Sequence, residues 1–386
     1  MPHLVLKGFK TPQTPYSHPE ATLLFASTEG PTGVVGVRAD GHDFMLCWFA
    51  HPKGTLLKVD KASRPAQLNT VKRALKVLAA AGGGTIVHST IDRFRPERHF
   101  QALIEADHFI THQPDRPIWL EVGFGSGRHM LHNAAHAPDK LHLGIEIHRP
   151  SAEQLLRRSE DARLENIRVV CADARTVLQT LPSRSVERIF VHFPVPWDKA
   201  PDRRVLSPAF IESCTRVLTR EGTLELRTDS PRYFHYSLKL LLALNHATLT
   251  VHKNREAATS SKYEDRWRRM QKDIFDLIYT NDTGTPPDRP RYDFGFSAPR
   301  AAVQTIEAHL KCARVEKGAL LKLRALWRLQ DGGALIHLTL GACDAPQSLY
   351  LRIDPQQGAR YFPHPPLPTA ESHWAHTQLK EILDGA

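Results

Sequence analysis

The feature that most constrains the fold is a rhythm between residues 118 and 226. Short apolar runs alternate there with stretches of helical character: Ile118-Trp119-Leu120, Leu141-His142-Leu143-Gly144-Ile145, Ile167-Arg168-Val169-Val170, Arg188-Ile189-Phe190-Val191 and Thr223-Leu224-Glu225-Leu226. Runs this short and this apolar are strands covered on both faces, and the intervening helices supply the cover. The pattern predicts an α/β fold, a doubly wound and mostly parallel sheet of the Rossmann-like kind. A chain of 386 residues is longer than one such core requires. It divides into an N-terminal α+β extension over 1–112, the α/β domain over 113–285 and a β-rich or α+β extension over 286–386, with Pro286-Pro287 and Pro290 marking the second boundary. No internal repeat is visible.

The extensions carry local signals of their own. Val34-Val35-Gly36-Val37 and Phe44-Met45-Leu46-Cys47-Trp48 predict a hairpin around Asp40-Gly41. A short helix follows, with Val71, Ala74, Leu75 and Leu78 on one face and Gly82-Gly83-Gly84 as its stop. A second hairpin is predicted for Leu321 to Gln330 against Ala334 to Leu340, across Asp331-Gly332-Gly333. Simple alternation puts Lys322, Arg324 and Arg328 on one face of its first strand and Leu321, Leu323, Trp327 and Leu329 on the other. The basic face reads either as a solvated surface or as a stripe contacting RNA.

Composition narrows the function classes. With 41% hydrophobic and 24% charged residues, and no apolar stretch long enough to cross a bilayer, the chain reads as soluble. Its start, Met1-Pro2-His3-Leu4-Val5-Leu6-Lys7, lacks the layout of a secretory signal, and the five cysteines are well separated. A reducing cytoplasm fits, without a disulfide framework or zinc knuckle. Cys171 and Cys214 sit in apolar sequence and read as core. His129, His132 and His136 share one side of a predicted helix, but no third ligand is fixed by sequence, so a metal site is not expected. The net charge of +10 favours a polyanionic partner.

The strongest local signal is Glu121-Val122-Gly123-Phe124-Gly125-Ser126-Gly127, after a strand and before a helix. Gly123, Gly125 and Gly127 let the backbone turn sharply and approach a ligand at the carboxyl end of the sheet. A nicotinamide site would use G-x-G-x-x-G/A, and neither frame closes: Arg128 or Met130 stands at the last position. Glu146 ends the second strand, where a carboxylate accepts from both hydroxyls of a ribose. Asp173 ends the third, placed to accept from an adenine amino group. With Glu121, that makes three acids at successive strand ends. Such a set suits S-adenosylmethionine, which has no phosphate and carries sulfonium and ammonium cations.

After the fourth strand comes Phe193-Pro194-Val195-Pro196-Trp197-Asp198-Lys199, then Asp202-Arg203-Arg204. The prolines fix an extended turn at the substrate edge. Trp197 offers a flat surface for a base, and Lys199, Arg203 and Arg204 form a group able to hold phosphates. Asp229 closes the fifth strand, and Ser261-Lys262-Tyr263-Glu264 opens a basic, aromatic-bearing segment. Asp229 and Glu264 are the natural pair for the Watson–Crick edge of guanine, whose N1–H and N2–H₂ donors match carboxylates. Gripping that edge leaves N7 facing the methyl donor.

On these motifs the sequence resembles the bacterial tRNA (guanine-N7-)-methyltransferase family, in a longer form with extra flanking domains. The resemblance runs from about residue 118 to 280 through Leu120 to Gly127, Gly144-Ile145-Glu146, Asp173-Ala174, Phe193 to Lys199, Arg203-Arg204, Thr228-Asp229 and Ser261 to Glu264. It implies a class I S-adenosylmethionine-dependent methyltransferase acting on the guanine at position 46 of the tRNA variable loop. It also implies cofactor contacts at Glu121, Glu146 and Asp173, and substrate contacts at Lys199, Asp229, Ser261, Lys262, Tyr263 and Glu264.

Two positions depart from the family pattern. Where the family has F-P-D-P-W with a catalytic aspartate, this chain has Val195, and Asp202 stands near the place of a family histidine. Guanine N7 carries an in-plane lone pair and no proton, so attack on a sulfonium methyl needs no general base. The product ring is cationic, and Asp198, Asp202 or Asp229 are the available sources of negative charge, with Asp198 and Asp229 assigned as catalytic. The alternatives are a methyltransferase on another RNA, on DNA or on protein, and a catalytically silent tRNA-binding homologue; a nicotinamide dehydrogenase comes last.

Overall fold

The computed structural model describes the chain except for residues 1, 29, 64–66, 93–98, 257–258, 260–263, 265–268, 283–290, 297–302, 311 and 386. The chain divides into two compact units: residues 1–99 with 292–366 and 370–386, and residues 100–291 with 367–369. The two flanks, expected as separate extensions, therefore contribute to one unit.

The first of these units begins with an antiparallel sheet of β1 (His3–Lys7), β2 (Tyr16–His18), β3 (Ala21–Ala26), β4 (Gly33–Ala39), β5 (His42–His51), β6 (Gly54–Val59) and β7 (Thr85–Ser89), in the order β2-β3-β4-β5-β6-β1-β7. The expected hairpin joins β4 and β5, and Asp40 and Gly41 take the positive φ of 49° and 78° that a tight turn needs. The helix Leu68–Gly82 buries Val71, Ala74, Leu75 and Leu78 against this sheet.

The second unit holds β8 (Leu103–Ile104), β9 (Ile118–Val122), β10 (Leu141–Ile145), β11 (Ile167–Val170), β12 (Val186–His192), β13 (Leu218–Thr228), β14 (Thr248–Lys253) and β15 (Phe275–Thr280). Their order is β14-β15-β13-β12-β9-β10-β11-β8. Strands β8 to β13 run parallel, while β15 lies antiparallel to both β13 and β14. The chain runs outward from β9 to β11 and then returns to place β12 on the other side of β9. That reversal opens a crevice at the carboxyl ends of β9 and β12, where doubly wound sheets bind ligands.

The two sheet faces differ chemically. One is a continuous apolar core in which Ile118, Leu120 and Val122 of β9 meet Ile189 and Val191 of β12 and Leu224 and Leu226 of β13. Its helices start on capping serines: Ser207 accepts from Phe210 N at 3.2 Å and Ser230 from Tyr233 N at 3.2 Å, each followed by proline at the first helical position. The other face is apolar only under the helices Arg128–His136 and Arg149–Asp161, where Met130, Ala134, Leu155 and Leu156 pack on Ile167 and Val169. Over β9, β12 and β13 the alternating residues on this face are Glu121, Phe190, His192, Glu225 and Arg227, aligned in register across the three strands.

The C-terminal sheet, β16 (Ala313–Glu316), β17 (Ala319–Arg328), β18 (Ala334–Ala342), β19 (Pro346–Asp354) and β20 (Gly358–Phe362), completes the first unit with the helix Ala370–Asp384. The expected β17–β18 hairpin is present, but its faces differ from simple alternation. The register shifts between Leu323 and Ala325, so Leu321 and Leu323 enter the core under the C-terminal helix while Trp327 and Leu329 pack into another cluster. A bulge adds one residue and reverses the facing of everything beyond it. Lys322, Arg324 and Arg328 accordingly do not form one basic stripe, and Arg328 is paired with Glu307 at 3.0 Å. In the other cluster Leu329, Leu335, Tyr350 and Phe362 pack with Phe25, Val34, Met45 and Cys47 of the N-terminal sheet.

Candidate active site

All three glycines of the loop after β9 have positive φ: 69° at Gly123, 53° at Gly125 and 68° at Gly127. A Cβ at Gly123 or Gly125 would meet nothing within 4 Å, so the backbone conformation demands glycine there and the space beside it stays open. Glu146, just past β10, accepts from Gly125 N at 3.2 Å and from His148 N at 2.9 Å. This second strand-end carboxylate is thereby tied to the glycine loop. Gly144 serves packing instead: a Cβ there would lie 2.8 Å from both Phe124 and Met130.

Beside the loop lies a cleft of about 680 Å³, lined among others by Glu121, Gly125, His129, Phe190, Arg227 and Glu264. Its floor is the polar sheet face. Glu121 is buried and lies 3.0 Å from His129 Nδ1. The rings of His129 and His192 are 4.6 Å apart, and His192 Nε2 lies 3.0 Å from Glu225. Glu225 and Asp276 each accept from Arg255 at 2.9 Å. Arg227, also buried, donates to Asp276 at 2.7 Å and to Glu264 at 2.8 Å.

His129 and Glu225 of this network titrate away from their ordinary values. Burial favours the neutral His129 ring, but Glu121, and Glu225 behind it, more than offset this and raise its pKa. Burial pushes the Glu225 carboxyl up, and His192 and Arg255 overcome it and bring the group down to about 2.

Beyond β12 the proline motif runs along the crevice edge. Phe193 and Trp197 bracket it with positive φ of 50° and 45°, a conformation disfavoured for bulky residues and found where surroundings impose it. Val195 is 61% exposed. Trp197 is exposed, with the Arg203 guanidinium 5.1 Å from its ring centre, and Lys199 and Asp202 are exposed as well. Arg204 departs from the expected phosphate-holding group. It is buried against Tyr233 and Tyr236, donates to Pro196 O at 2.7 Å and approaches Asp198 at 3.4 Å, so it braces the motif from behind.

Other expected site residues are also engaged. Asp173 caps the helix Ala174–Thr180 and is bound by Arg175 at 2.6 Å, so its carboxylate faces a guanidinium where an adenine acceptor was expected. Asp229 is paired with Lys272 at 2.9 Å. Glu264 lines the cleft, whereas Asp229 does not, and the expected guanine pair is not joined as two open carboxylates. Ser261, Lys262 and Tyr263 lie outside the described residues. His192, Glu225, Arg227, Arg255 and Asp276 were missed by sequence reasoning. For His192, Glu225 and Arg227 the signal was charge inside strands expected to be buried, since a buried charge implies a partner, whereas Arg255 and Asp276 lie outside the strands read from the sequence.

Residues 115–277 match a protein family described as "Putative methyltransferase". Over its whole length the chain is similar to a tRNA (guanine-N(7)-)-methyltransferase of Wolinella succinogenes, with 37% identity covering 99% of this chain and 100% of that one. The chain belongs to the tRNA (guanine-N7-)-methyltransferase family. Relatives of the same name from Campylobacter jejuni strain 81-176 (32% identity, 99% of this chain and 98% of that one) and Helicobacter acinonychis (35%, 93% and 90%) extend over the flanking unit too. The methyltransferase fold follows from the family and from the strand order, in which an antiparallel β15 is inserted between β13 and β14. Among the described residues no helix is long and apolar enough to cross a membrane.

Proposed function

We propose that this protein transfers the methyl group of S-adenosylmethionine to N7 of guanine in tRNA, and that the target is the variable-loop guanine. The observation that carries this reading is the 37% identity, over 99% of the chain, to a relative of that activity. The open, positive-φ glycine loop, the Glu146 carboxylate bonded to it and the adjoining cleft fit an adenosyl cofactor without phosphate.

When bound, S-adenosylmethionine supplies an electrophilic methyl group on a sulfonium. Glu146 is placed for the ribose hydroxyls, and Glu121 for a cationic part of the same molecule. Asp173 takes the adenine amino group if Arg175 turns aside. Trp197 and Phe193 form the edge against which the base stacks, with Lys199 and Arg203 toward the phosphates. Asp198 and Asp229 supply negative charge as the guanine ring becomes cationic, and Glu264 holds its Watson–Crick edge. Because N7 loses no proton, a valine at 195 leaves the chemistry intact and the rate rests on alignment. A tRNA substrate and five well-separated cysteines support a cytoplasmic site of action.

Incubating the purified protein with unmodified tRNA transcripts and labelled S-adenosylmethionine, then mapping N7-methylguanine by borohydride and aniline cleavage, tests this. A cut at the variable-loop guanine is expected. Tight tRNA binding with no cut would establish a silent homologue instead.

A further inference from the structure

Glu121 closes β9 beside the glycine loop, lines the cleft and is buried, and among the described residues its ion partner is a histidine and no arginine or lysine. A buried carboxylate needs a countercharge or neutralises itself. Here the countercharge is removable, because an imidazolium can lose its proton and a guanidinium cannot. We infer that His129 is a positioning residue that pairs with Glu121 in the free protein and gives up its proton to solvent when a cationic group of the methyl donor takes its place beside Glu121. This rests on the reading that the cleft receives S-adenosylmethionine.

The surroundings of the ring favour such an exchange. From β9 it faces Glu121, from β12 Phe190 at 4.8 Å and His192 at 4.6 Å between ring centres, and from β13 the charges of Glu225 and Arg227. From β10 it faces His142, whose ring lies near Ala137 O and whose pKa is lowered by burial. On its own helix Asn133 lies 3.1 Å from Nε2, and His132 adds a weak repulsion. Glu225 is already shared by His192 and Arg255, which leaves Glu121 as the carboxylate that holds the His129 proton. A ligand cation beside Glu121 cancels that attraction and adds repulsion, so the imidazole pKa falls and a proton leaves.

Two cations of the donor qualify, the sulfonium and the ammonium. S-adenosylhomocysteine keeps the ammonium and lacks the sulfonium, so the pair of ligands separates them. The experiment is titration calorimetry near pH 7 in two buffers of different ionisation enthalpy, which counts protons released per ligand bound, on the wild type and on His129→Asn. The asparagine keeps an N–H close to the Nδ1 position and removes the charge. Excess release by the wild type with S-adenosylmethionine alone assigns the sulfonium, and excess release with both ligands assigns the ammonium. In either case wild-type affinity rises with pH by up to about tenfold per unit, the limit for one proton, until the ring is neutral in the free protein. Equal proton counts for wild type and His129→Asn with both ligands would overturn the inference. Absence of any binding by the wild type would overturn the cofactor reading with it. Should His129→Asn fail to fold, the imidazole of labelled histidine in the wild type is titrated by NMR: a His129 pKa unmoved by either ligand sinks the proposal, and a fall supports it.

Discussion

Asp276 sits between two guanidiniums, Arg227 and Arg255, and has no exposure to solvent. Removing one member of such a group strands the others in a medium that cannot hydrate them. Asp276→Asn is expected to cost about 3 kcal/mol or more, seen as a lower urea midpoint for the second unit. Glu225 carries a pH signature. Its carboxyl is held at about 2 from an ordinary 4.5, so the stability it contributes is present above about 4.5 and lost as pH falls toward 2. Integrated over that interval this amounts to about 3 kcal/mol. Comparing urea midpoints at pH 5 and pH 3 checks it: the wild type should lose more than Glu225→Gln. At Val195 the expectation concerns rate. Restoring aspartate should change single-turnover methylation at saturating cofactor by well under the roughly hundredfold that a catalytic carboxylate contributes. A larger gain would mean that the valine had removed a working group.

At the scale of elements, the glycine loop and the strand beside it make opposite demands. Gly125→Ala places a side chain at φ 53°, into open space, so it should fold with a cost of about 1–2 kcal/mol and bind S-adenosylmethionine more weakly. Gly144→Ala drives a Cβ into Phe124 and Met130, so its loss should appear in the melting temperature, by about 1–3 kcal/mol of overpacking. Differential scanning calorimetry and ligand titration on the two variants separate these effects. The same elements show what the sequence carries openly. The five apolar runs became β9 to β13 because a strand buried on both faces has few residue types available. The loop and Glu146 were readable because backbone conformation and strand-end position limit them locally. The bulge in β17 left no trace, since Leu321, Leu323, Trp327 and Leu329 fit simple alternation equally well. Nor did the floor of the cleft, where Arg227 finds its partner 49 residues away in Asp276, a pairing that only the strand order creates. Arg204 looked like a phosphate ligand because nothing near it in sequence announces Tyr233 and Tyr236.

For the molecule as a whole, the N-terminal and C-terminal sheets share a core. A chain ending at residue 291 would lack Leu335, Tyr350 and Phe362, which cover Phe25, Met45 and Cys47. Hydrogen exchange should then find the amides of β3 to β5 unprotected, while those of β9 to β13 keep their protection. Protection of both regions would show that the N-terminal sheet stands alone. The wild-type unit is closed by pairings at very long range: Thr14 N donates to the side chain of Gln330, 316 residues away, and Gln330 N donates to Ala26 O. On the ribosome this sets a schedule. The first sheet emerges with half its apolar surface bare, and residues 100–291 of the second unit are made before the missing half exists. At roughly 5–20 residues per second the wait is on the order of ten seconds to a minute. The part of this protein most in need of a chaperone is therefore the flanking unit, and only during that interval.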